Sequence, residues 1–292
     1  MKLIAFKTDS GLAICTNKEV DTETIDFLYK WGNLVSDFQS IDSLFRLFLL
    51  EIDDYNNYLR HCKSKTIEEL SKDSFHIARL NKHVVNITSN GRLAIEHFEV
   101  IVKKAYSEFE EEWLTKKRDL HSKNFSYRFV DKLRNYVQHV GFPISSLQQK
   151  YDIEEGKEVL NIELIFNPID LMEKFKSWGT RVKNDLVGKK KQEFTFSGIL
   201  EEYDRIICLM YSYTLEVFMK TNHEFICSTF QKLFTITSGK RTILYLLDVS
   251  QDELVQMEVG NWSNISAKDV VSTDDVKMMM DVLENIGLIK MK

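Results

Sequence analysis

Proline is almost missing from this chain: it has 2 prolines and only 11 glycines in 292 residues. Proline breaks helices through its missing N–H and fixed φ, glycine through its backbone entropy. Their scarcity favours long uninterrupted helices over a succession of turns. Cysteine is sparse too. The 4 cysteines, Cys15, Cys62, Cys208 and Cys227, form no CxxC pair and read as reduced thiols of a cytosolic protein. No apolar run is long enough to span a membrane. The apolar run in residues 1–7 is too short for a signal peptide. The chain is therefore expected to act in the cytoplasm, where it is made.

Common catalytic signatures are absent as well. There is no Gly-x-Ser-x-Gly, no HExxH and no dinucleotide fingerprint. His223 and Cys227 stand at helical i,i+4 spacing, but no second pair of metal ligands accompanies them. His76 and His83, two turns apart, read as structural. Residues 238–242 lack the earlier glycine of a phosphate loop, since Phe234 holds that place. Neither a metal nor a cofactor is expected. The net charge of -5 argues against a general nucleic-acid coat protein, which would be basic. RNA could be met only by a local cationic patch.

What the chain does have is an ordinary globular composition, 43% hydrophobic and 28% charged, and strong helical periodicity. Residues 3–7 and 12–16 read as a β-hairpin around Asp9, Ser10 and Gly11. From about Thr22 the apolar residues Leu28, Trp31, Val35, Phe38, Phe45 and Phe48 recur at three and four residues, predicting a helix to about Arg60. Thr66 and Glu69 have capping-box spacing and start a second helix. A third is expected after Ser89, Asn90 and Gly91, and a fourth over 126–140, ended by Gly141 and Pro143. Residues 159–166 alternate like a strand. Helix returns at 169–176, 181–191 read as a polar loop, and 196–233 form a long helix. Segments 233–237 and 242–248 read as strands about a turn, and 274–286 as a final helix ended by Gly287. The fold class is mainly α: a helical bundle with small β elements at its N- and C-terminal ends. In chain order this gives a hairpin over 1–21, a helical body over 22–235 with a strand insertion near 158–167, and a small α+β region over 236–292.

The segment 133–143 carries the candidate chemistry. On a helical wheel, Phe129, Val130, Leu133, Tyr136, Val137 and Val140 fall on one side, and Arg134, Asn135, Gln138 and His139 on the other. Asn135 and His139 are i,i+4 neighbours. Arg134 and His139 are five apart, roughly 140° around the axis, and flank the polar face. RNA can be cut by attack of its own 2′-OH on the adjacent phosphorus, which needs a base, an acid and a cation on the phosphate. Histidine serves either proton step near neutral pH, and arginine offers a permanent charge in a fork that fits phosphate. One helix supplies one of each. Two such helices about a two-fold axis would supply two of each around a shared cleft, so a catalytic reading also asks for a homodimer.

Here the chain resembles the HEPN (higher eukaryote and prokaryote nucleotide-binding) ribonucleases, whose Arg-x(4–6)-His motif lies on a helix with a polar residue after the Arg. Arg134, Asn135 and His139 match it, and the surrounding Leu-Arg-Asn-Tyr-x-Gln-His-x-Gly-x-Pro looks like members found among bacterial toxin and phage-defence genes. The resemblance covers 22–145 in helical pattern and about a dozen residues in detail. It implies a HEPN-like helical-bundle dimer, a metal-independent RNase site and a role in toxin–antitoxin or antiviral defence, with an antitoxin or defence-complex protein as partner. A second Arg-x4-His, Arg92 to His97, has Leu93 after the Arg and no stop signal, and is read as chance. One toxin class carries a tyrosine two residues after the His that its partner modifies. Gly141 stands there, which argues against that form of control.

Further RNA contacts are expected at Lys116, Lys117 and Arg118, a basic run shortly before the motif helix, and at Arg128, Lys132, Tyr136 and Gln138 on it. A second basic run, Lys189, Lys190 and Lys191, is the weaker candidate. The competing expectation is a non-catalytic module that binds RNA, a nucleotide or a protein as sensor or scaffold.

Overall fold

A computed structural model of the chain describes residues 2–8, 11–14, 20–144, 146–154, 157–188, 193–236, 243–248 and 267–290. The protein is mainly α-helical. The strands are β1 (Lys2–Thr8), β2 (Gly11–Ile14), β3 (Ser146–Glu154), β4 (Lys157–Phe166), β5 (Phe194–Thr195), β6 (Ile243–Asp248) and β7 (Ala267–Ser272). The helices are α1 (Thr22–Lys63), α2 (Ile67–Lys72), α3 (His76–Ala105), α4 (Glu110–Lys123), α5 (Phe125–His139), α6 (Pro168–Lys174), α7 (Thr180–Gly188), α8 (Phe196–Ile236) and α9 (Thr273–Asn285), with a 3-10 turn at Ser107–Phe109. Two compact units result, Met1–Ser40 with Leu215–Lys292, and Ile41–Thr214. Their boundaries fall within α1 and α8.

In the first unit the strands form one antiparallel sheet in the order β2-β1-β6-β7. The N-terminal hairpin and the C-terminal strands thus share a sheet, with Leu3 opposite Leu247 and Ala5 opposite Tyr245. Sequence periodicity reports which face a strand buries but not its partner, so this pairing was not legible. Helix α1 starts at Asp21, whose carboxylate accepts from Thr24 N–H at 2.6 Å. Its residues Leu28, Trp31, Leu34, Val35 and Phe38 are buried. Each such burial contributes about 1.5–3 kcal/mol. Trp31 packs on Phe225 at 5.3 Å between ring centroids. Gly32 is needed here, because a Cβ at that position would lie 2.0 Å from the Val270 carbonyl oxygen. Helix α9 begins at Ser272, whose hydroxyl accepts from Asp275 N–H, and ends where Gly287 takes a φ of 77°.

In the second unit the expected breaks fall differently. The Thr66–Glu69 capping box is present, but it opens a helix of 6 residues. Helix α3 then runs through Ser89, Asn90 and Gly91 without interruption. Gly91 is a packing residue: a Cβ there would lie 2.6 Å from the Tyr203 ring, so its lack of a side chain lets the ring approach. Of the 181–191 stretch expected as loop, residues 181–188 belong to α7, because Val182 and Leu186 are one turn apart and both buried. Strand β3 was missed because its alternation is weak, with Tyr151 and Ile153 exposed. It pairs antiparallel with β4. Residues 233–236, expected as strand, continue α8, and Leu233 is buried. The expected turns at 9–10 and 238–241 lie outside the described residues. Among the described residues no helix is long and apolar enough to cross a membrane.

Two measurements test this packing. Gly32→Ala is expected to destabilise the protein by roughly 1–3 kcal/mol in urea denaturation, since overpacking against backbone is hard to relieve. An unchanged midpoint would contradict the close approach. His76 is buried, its Nδ1 is 2.8 Å from the Tyr58 hydroxyl, and its Nε2 has no partner among the described residues. Burial pushes its pKa below the usual value, so the fold favours the neutral ring. The resulting stability is fully present above pH about 6.5 and is lost as pH falls past that value and through the lower folded-state one. Urea denaturation at pH 7.5 and pH 5 is expected to show that loss, and His76→Phe to shrink it. An equal loss in the variant would place the titration elsewhere.

Candidate functional site on helix α5

Helix α5 is anchored by its rings. Phe129 is fully buried and stacks on Trp178 at 5.6 Å. Tyr136 stacks on the same Trp178 at 5.6 Å and meets Phe175 edge-on at 5.8 Å. The indole N–H of Trp178 donates to the Leu171 carbonyl at 2.9 Å. At the helix start the Glu202 carboxylate accepts from the buried Ser126, both from its backbone N–H and from its hydroxyl. A carboxylate there offsets the positive end of the helix dipole. At the far end Gly141, with a φ of 122°, turns the chain away.

The expected polar stripe is present on the opposite side. Arg134 and Asn135 are half-buried, and Gln138 and His139 are exposed. Among the described residues none of the four side chains makes a hydrogen bond or an ion pair. At 1.5 Å rise per residue, Arg134 and His139 are displaced by roughly 7.5 Å along the axis. One helix therefore presents a cation and an imidazole side by side without joining them at one point. Val140, expected on the apolar side, is 39% exposed. It lies beyond the last turn that the rings hold.

The other expected RNA contacts are placed differently. Arg128 is 8% exposed. Its guanidinium donates to Asp185 at 2.9 Å, to the His121 carbonyl at 2.9 Å and to the Ser122 carbonyl at 2.6 Å. It ties α5 to α7 and to the last turn of α4 through four of its five N–H donors. Arg128 was expected as an RNA contact, and only its long-range partner decides its role. Tyr136 is 2% exposed, so its ring packs in the interior and is not offered to a base. In the basic run, Lys117 pairs with Glu99 and Arg118 with Glu111. Lys116 lies 3.4 Å from Glu112 and over the Tyr213 ring. Their charge is largely met within the fold. Lys132 is half-buried, 3.8 Å from where a Cβ on Gly179 would lie. Lys189, Lys190 and Lys191 lie outside the described residues.

Sequence reasoning missed a neighbouring feature. Arg92, set aside as half of a chance motif, donates to Glu96 at 2.7 Å and to the α5 residue Asp131, at its carbonyl. Arg92, Asp131, His121 and Arg181 line a cleft of about 710 Å³. Its lining comes from five separate helices, so no local spacing announces it. Among the described residues no group of three or more His, Cys, Asp or Glu is placed to hold a metal ion. His223 and Cys227 do approach, with 3.5 Å between Nε2 and Sγ.

Compared with protein families, curated proteins and solved structures, the chain shows no match.

The two arginines of α5 separate cleanly by experiment. Arg128→Ala leaves two carbonyls and Asp185 without their donor, and is expected to cost about 2 kcal/mol, below the value for a fully buried pair because Asp185 retains exposure. Arg134→Ala is expected to stay within about 0.5 kcal/mol. Chemical denaturation of both variants checks this. Equal losses would mean that Arg134 is also a structural brace.

Proposed function

We propose that the chain is a metal-independent endoribonuclease, acting in the cytoplasm as a homodimer with a composite Arg/His site. The observation that carries the reading is the freedom of Arg134. On the same helix Arg128 is spent inside the fold, whereas Arg134 is half-buried and has no acidic partner among the described residues. A half-buried guanidinium without a counter-charge is suited to a phosphate.

In this reading a histidine takes the proton from the 2′-OH as that oxygen attacks phosphorus. The bond from phosphorus to the 5′-oxygen breaks, and the 5′-oxygen receives a proton from the second histidine. The products are a 2′,3′-cyclic phosphate and a 5′-hydroxyl. His139 and its two-fold mate share the two proton roles. Arg134 holds the phosphate and stabilises the charge that builds on it. Asn135, one turn from His139, orients the imidazole or binds the phosphate. The HEPN resemblance supports this assignment and suggests a place in toxin or antiviral defence, with an antitoxin or defence-complex protein as partner.

The test is cleavage of RNA in EDTA by wild type, Arg134→Ala and His139→Ala, with product ends identified. Wild type is expected to leave cyclic ends, and each variant to lose roughly 10²–10⁴-fold in rate while folded. Cleavage retained in either variant would overturn the assignment. RNA binding without turnover, unchanged in His139→Ala, would replace it with a binding module.

A further inference from the structure

Strand β3 is the open edge of its sheet. The order β3-β4-β5 gives it one neighbour, and it pairs with β4 along all 9 residues without a register shift. In an antiparallel ladder alternate residues turn their N–H and C=O groups to opposite sides. One alternate set on β3 therefore faces away from β4, and among the described residues those groups have no backbone partner. Folded proteins protect such an edge with a proline, a bulge, a covering element or charges that repel a second strand. β3 has no proline and no bulge. Its side chains at Ser146, Gln148, Lys150, Tyr151 and Ile153 are exposed. Ile153, at 77%, is the most exposed large apolar side chain among the described residues.

The charges of the strand do not repel a second copy of it. Lys150 and Asp152 flank Tyr151 and share one face, with 2.9 Å between Nζ and Oδ1. Turned about a two-fold axis through Tyr151, the strand sets Lys150 opposite the partner's Asp152, and Asp152 opposite the partner's Lys150. Opposite charges in facing positions stabilise an antiparallel pair. On the other face Tyr151 meets the partner's Tyr151, and Ile153 falls diagonally beside that ring, within reach of an aromatic side chain. Tyr151 is already held: its hydroxyl accepts from the Ile67 N–H at 3.3 Å. An axis one residue to either side sets Lys150 against the partner's Lys150, or Asp152 against the partner's Asp152, and both destabilise.

We propose that the β3 edges of two copies pair antiparallel about Tyr151 and join their sheets into one. The partner is a second copy because the strand is its own complement on both faces. This surface is separate from the polar stripe of α5, and the inference rests on the β3 edge and not on the cleavage reading.

The experiment has two arms, both with the whole chain. The first oxidises a mixture of Gln149→Cys and Ile153→Cys proteins, each also carrying Cys227→Ser because Cys227 is exposed. In the proposed register, position 149 faces position 153 of the partner at about 5.5 Å or less between Cα atoms, which a disulfide spans. The mixture is expected to link 149 to 153 about fivefold or more above the self-linking of either variant. The second arm measures association by sedimentation. Asp152→Lys alone sets lysine against lysine, Lys150→Asp alone sets aspartate against aspartate, and each is expected to weaken association about tenfold. Mixed together, the two variants are complementary across the axis but not within either chain. The mixture is therefore expected to recover association as a heterodimer, which a role of these residues within one chain cannot produce.

A chain that stays monomeric at every soluble concentration overturns the proposal and leaves the edge to a strand of another protein. Links of 149 to 149 or of 153 to 153 in excess overturn this register. A dimer linked through Gln138→Cys and unchanged in both charge variants would place association on α5 alone, overturning this proposal and leaving the cleavage reading standing. Pairing through β3 in a protein that cuts no RNA would do the reverse.

Discussion

The stacking of Phe129 on Trp178 is the contact on which the placement of α5 depends. Phe129 also meets Phe166 and Phe194 edge-on at 5.3 and 5.2 Å. Such pairs contribute about 0.5–1.5 kcal/mol each beyond the area they bury. Trp178 receives Tyr136 two turns further along and is itself held by a backbone carbonyl. One face of α5 is thus clamped from Phe129 to Tyr136. A rigid helix held on one face leaves its other face no choice. In its first half that face is covered by the Arg128 bonds to α4 and α7, and in its second half Gln138 and His139 remain exposed.

Charge pairing then selects among the cations. The protein is acidic overall, with a net charge of -5. Arg92, Lys117, Arg118 and Arg128 all have carboxylate partners. The exposed pairs among them contribute little stability, but all four lower the field those cations offer an incoming anion. Arg134 and Arg181 are not matched in this way. The proposed RNA-handling role of the second unit therefore rests on Arg134 in particular and not on bulk charge.

The helical character was legible because proline and glycine are rare and because apolar residues repeat at three and four positions. The caps were legible where a side chain and its target are close in sequence, as at Thr66 and Glu69. The apolar anchor of α5 could be read on a wheel. What could not be read depends on partners distant in the chain. Gly91 looked like a break and instead admits Tyr203, 112 residues away in sequence. Arg128 looked exposed until Asp185 was placed beside it. The Arg134, Asn135 and His139 stripe needed no distant partner to be read on a wheel, and its choice over Arg92 and His97 came from Asn135, the apolar opposite face and the ending at Gly141 and Pro143. The cleft is built from five helices, and none of its residues carries a local signature.

The central claim is that the open face of α5 is half of a site completed by a second copy. Gln138 is exposed between Arg134 and His139, so a two-fold contact on this face brings two copies of it together. The direct measurement is the solution mass, with oxidative cross-linking of Gln138→Cys in a chain where the exposed Cys227 is replaced by Ser. The account predicts a species of twice 34.3 kDa and an interchain disulfide formed in high yield. A 34.3 kDa monomer at micromolar concentration, with no cross-link either alone or with RNA present, would contradict it.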